Sequence, residues 1–134
     1  MSKRKLTSTN YRNQTELIEF CGMNYALNIL AGRWKLIILY KLERQAKRYS
    51  DLKKIMPNIT DRMLALHLKE LESDGLVTRT IYPEVPARVE YRLTDIARLL
   101  APVWKQLEQW GLEHRKLQGK LTEEGNDVSN AMVI

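Results

Sequence analysis

A chain of 134 residues with 22 Lys and Arg against 16 Asp and Glu, a formal net charge of +6, is long enough for one domain with its own apolar core. Its single cysteine, Cys21, excludes an intramolecular disulfide and points to the cytoplasm. The longest apolar run, residues 36–40, excludes a membrane-spanning helix, and the basic N-terminus continues into polar sequence where a secretion signal would turn apolar. The positive balance favours an acidic partner, nucleic acid ahead of an anionic membrane.

In chain order, residues 1–12 are polar, basic and aperiodic, and read as a flexible arm. A helix is expected over residues 15–30, with a break near Cys21-Gly22, because Met23, Ala26, Leu27 and Leu30 recur at helical spacing. Ala31-Gly32 stops it. A second helix over residues 33–43 carries Trp34, Ile37, Ile38 and residues 40–42 on a wide apolar face, and so is expected at the centre of the core. A short helix over residues 49–56 starts from Ser50 as N-cap and ends before Pro57. Asn58-Ile59 is a turn. Thr60 caps the next helix, residues 61–73, without a capping box because Met63 stands at the N3 position. On that helix Leu64, Leu68 and Leu71 share an inward face, Arg62, Leu66 and Lys69 point outward with Ala65 beside them, and Gly75 closes it.

Residues 77–83 and 88–93 alternate as two strands, and the proline-rich residues 83–87 form the hairpin tip. Thr94 or Asp95 caps a long last helix in which Ile96, Leu100, Val103, Leu107 and Trp110 recur at steps of 4, 3, 4 and 3. Pro102 is expected to kink it. Residues 120–134 read as a disordered tail, leaving one domain over residues 13–119.

This architecture is mainly α with a small β-hairpin. Helix, tight turn, helix and hairpin is the order of a winged helix-turn-helix, which places its second helix in the major groove of double-stranded DNA. Between Arg44 and Lys69 seven bases face two acids, a net of +5 in 26 residues. Arg62, in the first turn of the second helix, is placed to read a guanine edge, and Ala65 and Leu66 to meet thymine methyls. Packing of Leu66 on a neighbouring helix is the alternative. Arg44, Lys47, Arg48, Lys53, Lys54, Lys69 and the helix start at Thr60 are assigned to phosphates. Arg88 on the wing is assigned to the minor groove, with a salt bridge to Glu84 or Glu90 as the competing reading.

The last helix has more apolar surface than so small a domain needs. Leu100, Val103, Trp104, Leu107 and Trp110 are therefore assigned, with Met23 and Leu27 of the first helix, to a homodimer seam. Cys21, near a helix start, has two readings: a reactive thiolate, or a small buried hydrophobe. His67 and His114 lack ligand-spaced partners, and no phosphate loop, zinc motif or nucleophile elbow is present, so neither an enzyme nor a cofactor is expected. The rival to a DNA-binding regulator is a winged-helix module that associates with an acidic protein.

The segments Cys21-Gly-Met-Asn-Tyr-Ala-Leu27, Gly32-Arg-Trp-Lys35, Tyr49-Ser-Asp-Leu52, Arg62-Met-Leu64, Leu68-Lys-Glu-Leu-Glu-Ser-Asp-Gly-Leu76 and Tyr82-Pro-Glu-Val-Pro-Ala-Arg-Val-Glu-Tyr91 resemble the HxlR-type winged helix-turn-helix regulators. The resemblance implies a bacterial or archaeal homodimeric transcription factor of MarR-like shape, with its first and last helices at the dimer interface. It also implies, for some members, a response to small electrophiles or oxidants through the cysteine matching Cys21, while others keep that cysteine without a redox role. The chain departs from the pattern in having Gly22 where proline usually follows the cysteine, and in the apolar pair Ala65-Leu66 on the recognition face.

Overall fold

The computed structural model describes residues 21–128, with side chains through Lys120. The expected arm at residues 1–12, the expected helical residues 15–20 and the last six residues lie outside that range.

Helix α1, Gly22–Ile29, starts from Cys21, whose backbone is still extended and whose Sγ accepts a hydrogen bond from the Asn24 N–H at 3.5 Å. None of its residues is buried in the protomer. Gly32, at φ +91, makes the turn into α2, Trp34–Lys41. A positive φ is costly for any residue with a Cβ, which is why glycine stands there. Helix α2 supplies the centre of the core: Ile38, Leu39 and Leu42 just beyond it are fully buried, and Trp34, Ile37 and Tyr40 pack partly against them. Lys35 is buried as well, an unexpected cation on this helix.

A two-residue strand that the sequence does not announce, β1 (Lys47–Arg48), leads into helix α3, Tyr49–Ile55. Arg48 is extended, its N–H is bonded to the Asp51 carboxylate at 3.2 Å, and it faces Glu90 in the sheet, so the helix opens before Ser50. Ser50 is therefore inside the first turn and is not the cap. Helix α4, Asp61–Ser73, is capped by the Thr60 hydroxyl, which accepts from the Met63 N–H at 3.1 Å. Leu64, Leu68 and Leu71 face inward and His67 is buried beside them. At its far end the Leu76 N–H reaches the Leu71 carbonyl, the Gly75 N–H reaches that of Glu72, and Gly75 sits at φ +74, a Schellman stop.

Strands β2 (Val77–Tyr82) and β3 (Arg88–Leu93) pair antiparallel from Val77↔Leu93 to Tyr82↔Arg88, and β1 joins the other edge of β3, giving the order β1-β3-β2. Thr94 ties this sheet to α4: its hydroxyl donates to the Gly75 carbonyl at 2.6 Å and accepts from the Ala97 N–H at 3.4 Å, capping α5, Asp95–Arg98.

The last helix departs from expectation in two ways. The interruption falls at Leu99-Leu100, and α6 runs from Ala101 to Val128. Pro102 thus occupies the first turn of a new helix, where its missing N–H would have had no partner, so it does not kink a continuous one. In addition, α6 passes through residues 120–128, where a disordered tail was expected. Once nucleated, a helix is readily extended by Lys, Leu and Glu. At 28 residues α6 is about 42 Å long. No helix among the described residues is long and apolar enough to cross a membrane.

Candidate nucleic-acid interface

Helix α3, the turn through Ile59 and helix α4 make the helix-turn-helix. Ile59 is driven into the core with Met56 and Leu52, which fixes how α3 and α4 cross. Its carbonyl is bonded by the Lys53 ammonium, which also lies 3.7 Å from the Asp61 carboxylate. The Tyr49 hydroxyl donates to the Asp61 carbonyl at 2.9 Å and faces its carboxylate at 3.2 Å. Burial, then the neighbouring Asp61 charge, pushes the Tyr49 hydroxyl above the usual phenol range, so it stays a donor at neutral pH. Tyr49 and Lys53 thus clasp the first residue of α4 and lock the turn. Lys53, assigned to a phosphate from the sequence, is thus engaged within the turn.

The outer face of α4 is exposed along its length. Arg62, Ala65, Leu66 and Lys69 all point to solvent, so Leu66 does not pack on a neighbouring helix of the described chain. Arg62 and Lys69 form no ion pair among the described residues, nor do Arg44, Lys47, Arg48 and Lys54, whereas Lys35, Lys53, Arg88 and Lys105 do. Lys47 and Arg48 are carried on β1 at the sheet edge, and Lys54 in the last turn of α3, the first helix of the helix-turn-helix. At Thr60 the hydroxyl oxygen is occupied by the cap, but its proton is free to donate.

Arg88 does not project from the wing. Its guanidinium lies 4.1 Å over the Tyr82 ring, 3.4 Å from Glu84 and 3.6 Å from Glu90. Two carboxylates and an aromatic face hold the guanidinium against the hairpin, the contacts of the salt-bridge reading. The hairpin end is instead formed by Val85, fully exposed.

The proposed seam divides as well. Trp104 is 3% exposed and belongs to the protomer core, and Leu100 packs partly against that core. The cause is helical phase: Trp104 falls on the side of α6 that meets α2. Met23, Leu27, Val103, Leu107 and Trp110 are exposed, and an apolar groove of about 530 Å³ lined by Pro102, Val103, Gln106, Leu107 and Trp110 runs along α6. At the α6–α2 contact, Lys105 pairs with Glu43 at 3.2 Å; the Trp104 indole N–H nearby, though outside hydrogen-bond geometry, and then Lys105 hold that carboxyl below its ordinary range. Sequence reasoning missed Tyr49, Asp61, Lys35 and His67. The signal for Tyr49 was the Tyr-Ser-Asp-Leu segment, for Asp61 its place directly after the Thr60 cap, and for Lys35 its place between Trp34 and the apolar run 36–40.

A helix-turn-helix with an exposed second helix and an adjoining hairpin defines a winged helix-turn-helix protein of the DNA-binding class. The chain belongs to the HxlR-like helix-turn-helix family, whose profile matches residues 29–119. It is 42% identical over 97 residues to the uncharacterized HTH-type transcriptional regulator YybR of Bacillus subtilis, covering 72% of this chain and 78% of that one. Among solved structures it resembles the redox regulator HypR in its oxidized form, with TM-score 0.67 and 42% identity over 69% of this chain and 96% of that one. It also resembles the reduced form of the transcriptional regulator YodB from B. subtilis, with TM-score 0.61 and 34% identity over 67% and 88%. The protein is a transcriptional regulator of the helix-turn-helix type.

Proposed function

We propose that the protein is a homodimeric, operator-specific regulator whose DNA affinity is set by the state of Cys21. The observation that carries the first part is the exposed face of α4, with Arg62, Ala65, Leu66 and Lys69 open to solvent. Arg62 reads a base edge, Ala65 and Leu66 touch thymine methyls, and Arg44, Lys47, Arg48, Lys54, Lys69 and the Thr60 hydroxyl hold phosphates. Dimerisation through Met23, Leu27, Val103, Leu107 and Trp110, with Leu100 at the edge of the seam, sets two copies of α4 a helical turn of DNA apart.

Cys21 is half-buried at the start of α1, the helix with no buried residue in the protomer. An electrophile such as a quinone would form a C–S bond there as the thiol proton passes to a ring oxygen. The bulk added at the base of α1 would shift the seam and hence the spacing of the two recognition helices. That similar structures are of a redox regulator and of YodB treated with diamide supports this reading.

The test is selection of a duplex from a randomised pool by the wild type, followed by titration of that duplex and a scrambled one. Arg62→Ala should lower affinity for the selected duplex by about 1–3 kcal/mol and relax preference at one base pair, with little change on the scrambled one. Equal loss on both would make Arg62 a phosphate contact.

A further inference from the structure

Lys35 is a cation buried in a helix otherwise devoted to the core. Its side chain is 8% exposed and its ammonium meets two partners from different elements: the Glu70 carboxylate of α4 at 2.6 Å and the Ile29 carbonyl, the last residue of α1, at 3.4 Å. Among the described residues no other hydrogen bond or ion pair joins α1 to α2 or α4. Glu70 lies on the flank of α4, four residues beyond Leu66 and eight beyond Arg62, between the exposed face and buried His67. Close packing of the leucine face seats α4 on the core, and a bond at its flank adds a restraint on its rotation. A short charge-assisted hydrogen bond is directional.

We propose that Lys35 is a positioning residue for DNA reading: by bonding Glu70 and the end of α1 at once, it sets the rotation and seat of the recognition helix relative to α1. Arg62 and Leu66 then meet the groove at a defined angle, and a displacement of α1 is passed to α4 through one side chain. Lys35 itself is buried behind Glu70 and offers DNA no surface.

This rests on the operator reading above, and the test separates the two. The variant is Lys35→Met with Glu70→Gln. It keeps the net charge, so nonspecific attraction to DNA is preserved, and it strands no buried ion, since loss of one partner alone would leave the other uncompensated. Wild type and variant are titrated with the duplex the wild type enriches from a randomised pool and with its scramble, alongside a thermal melt. The expected result is at least about a fivefold loss on the selected duplex, the lower end for one misaligned base contact, with scramble affinity and its salt slope unchanged. Amide exchange at Leu30, whose N–H closes α1 on Ala26, should rise. Glu70→Asp, at a half-exposed helical position, keeps both charges and withdraws the carboxylate by one methylene. It should lose preference in the same direction, and it decides the matter if the double variant does not fold. Retention of wild-type preference by either folded variant, or equal loss on both duplexes, overturns the positioning role. A wild type that enriches no sequence overturns the operator reading, and the positioning role with it.

Discussion

Two tryptophans six residues apart on α6 should respond to mutation in opposite ways. Trp110 is 60% exposed in the protomer and lines the apolar groove, whereas Trp104 is 3% exposed and sits in the core. A tryptophan offers up to about 250 Å². The open part of Trp110 is then about 150 Å², which at about 25 cal/mol per Å² is about 4 kcal/mol per chain if a partner covers it fully. Reference-state compaction and imperfect cover reduce this, so half of it, about 4 kcal/mol for the two chains of a dimer, is a sober figure. That is nearly a thousandfold in the dimer dissociation constant at about 1.4 kcal/mol per decade. Trp110→Glu should therefore sediment as a folded monomer at concentrations where the wild type is a dimer, and its DNA affinity should collapse because two half-sites are no longer linked. Trp104→Ala should instead destabilise the protomer by about 3–5 kcal/mol, lowering the urea midpoint whatever the protein concentration. Sedimentation velocity over a concentration series, paired with urea melts, checks both. A Trp110→Glu protein that remains dimeric with the wild-type dissociation constant would refute the placement of the seam.

Other outcomes follow from the same contacts. Diamide or a quinone should lower the affinity of the wild type for its selected duplex and leave Cys21→Ser unaffected; a wild type whose thiol is modified without any change in affinity would end the sensor reading. Arg88→Ala should loosen the wing, costing about 1 kcal/mol of stability from the lost stacking on Tyr82, and should not change affinity according to the A·T content of flanking DNA, as titration on two flank compositions would show. The hydrogen bond from Lys35 holds the Glu70 carboxyl below its ordinary range despite partial burial. A carboxyl whose folded value is depressed contributes stability that is present at neutral pH and lost as pH falls through the folded value. Urea midpoints from neutral to acid pH should therefore fall less steeply for Lys35→Met than for the wild type.

Local pattern was enough to place most elements, because each is short and punctuated. Helix α4 matches its expected bounds, its leucine face is inward as the steps of four and three require, and Thr60 and Gly75 bound it through chemistry confined to a few neighbouring residues. Strand β3 matches its expected bounds, and the two-residue alternation of β2 and β3 survives in the register. The family motifs carried the class of protein, since they mark the same turns and caps.

What needed the tertiary structure was the destination of each charge and each apolar side chain. Arg88 and Lys53 are cations by sequence just as Arg62 and Lys69 are, yet the first two meet partners: Glu84, and Glu90 two residues along its own strand, for Arg88, and the Ile59 carbonyl with Asp61 across the turn for Lys53. Nothing in composition tells a paired cation from an open one, because pairing depends on which elements touch. Trp104 and Trp110 were likewise expected in one dimer seam, and the contact of α6 with α2 places one in the core and leaves the other exposed. Strand β1 exists because β3 offers it an edge, and Lys35 is buried because Glu70 and the end of α1 close over it. A periodic sequence determines which face of an element is apolar; what that face meets is decided by elements distant in the chain, whose approach the local pattern does not encode.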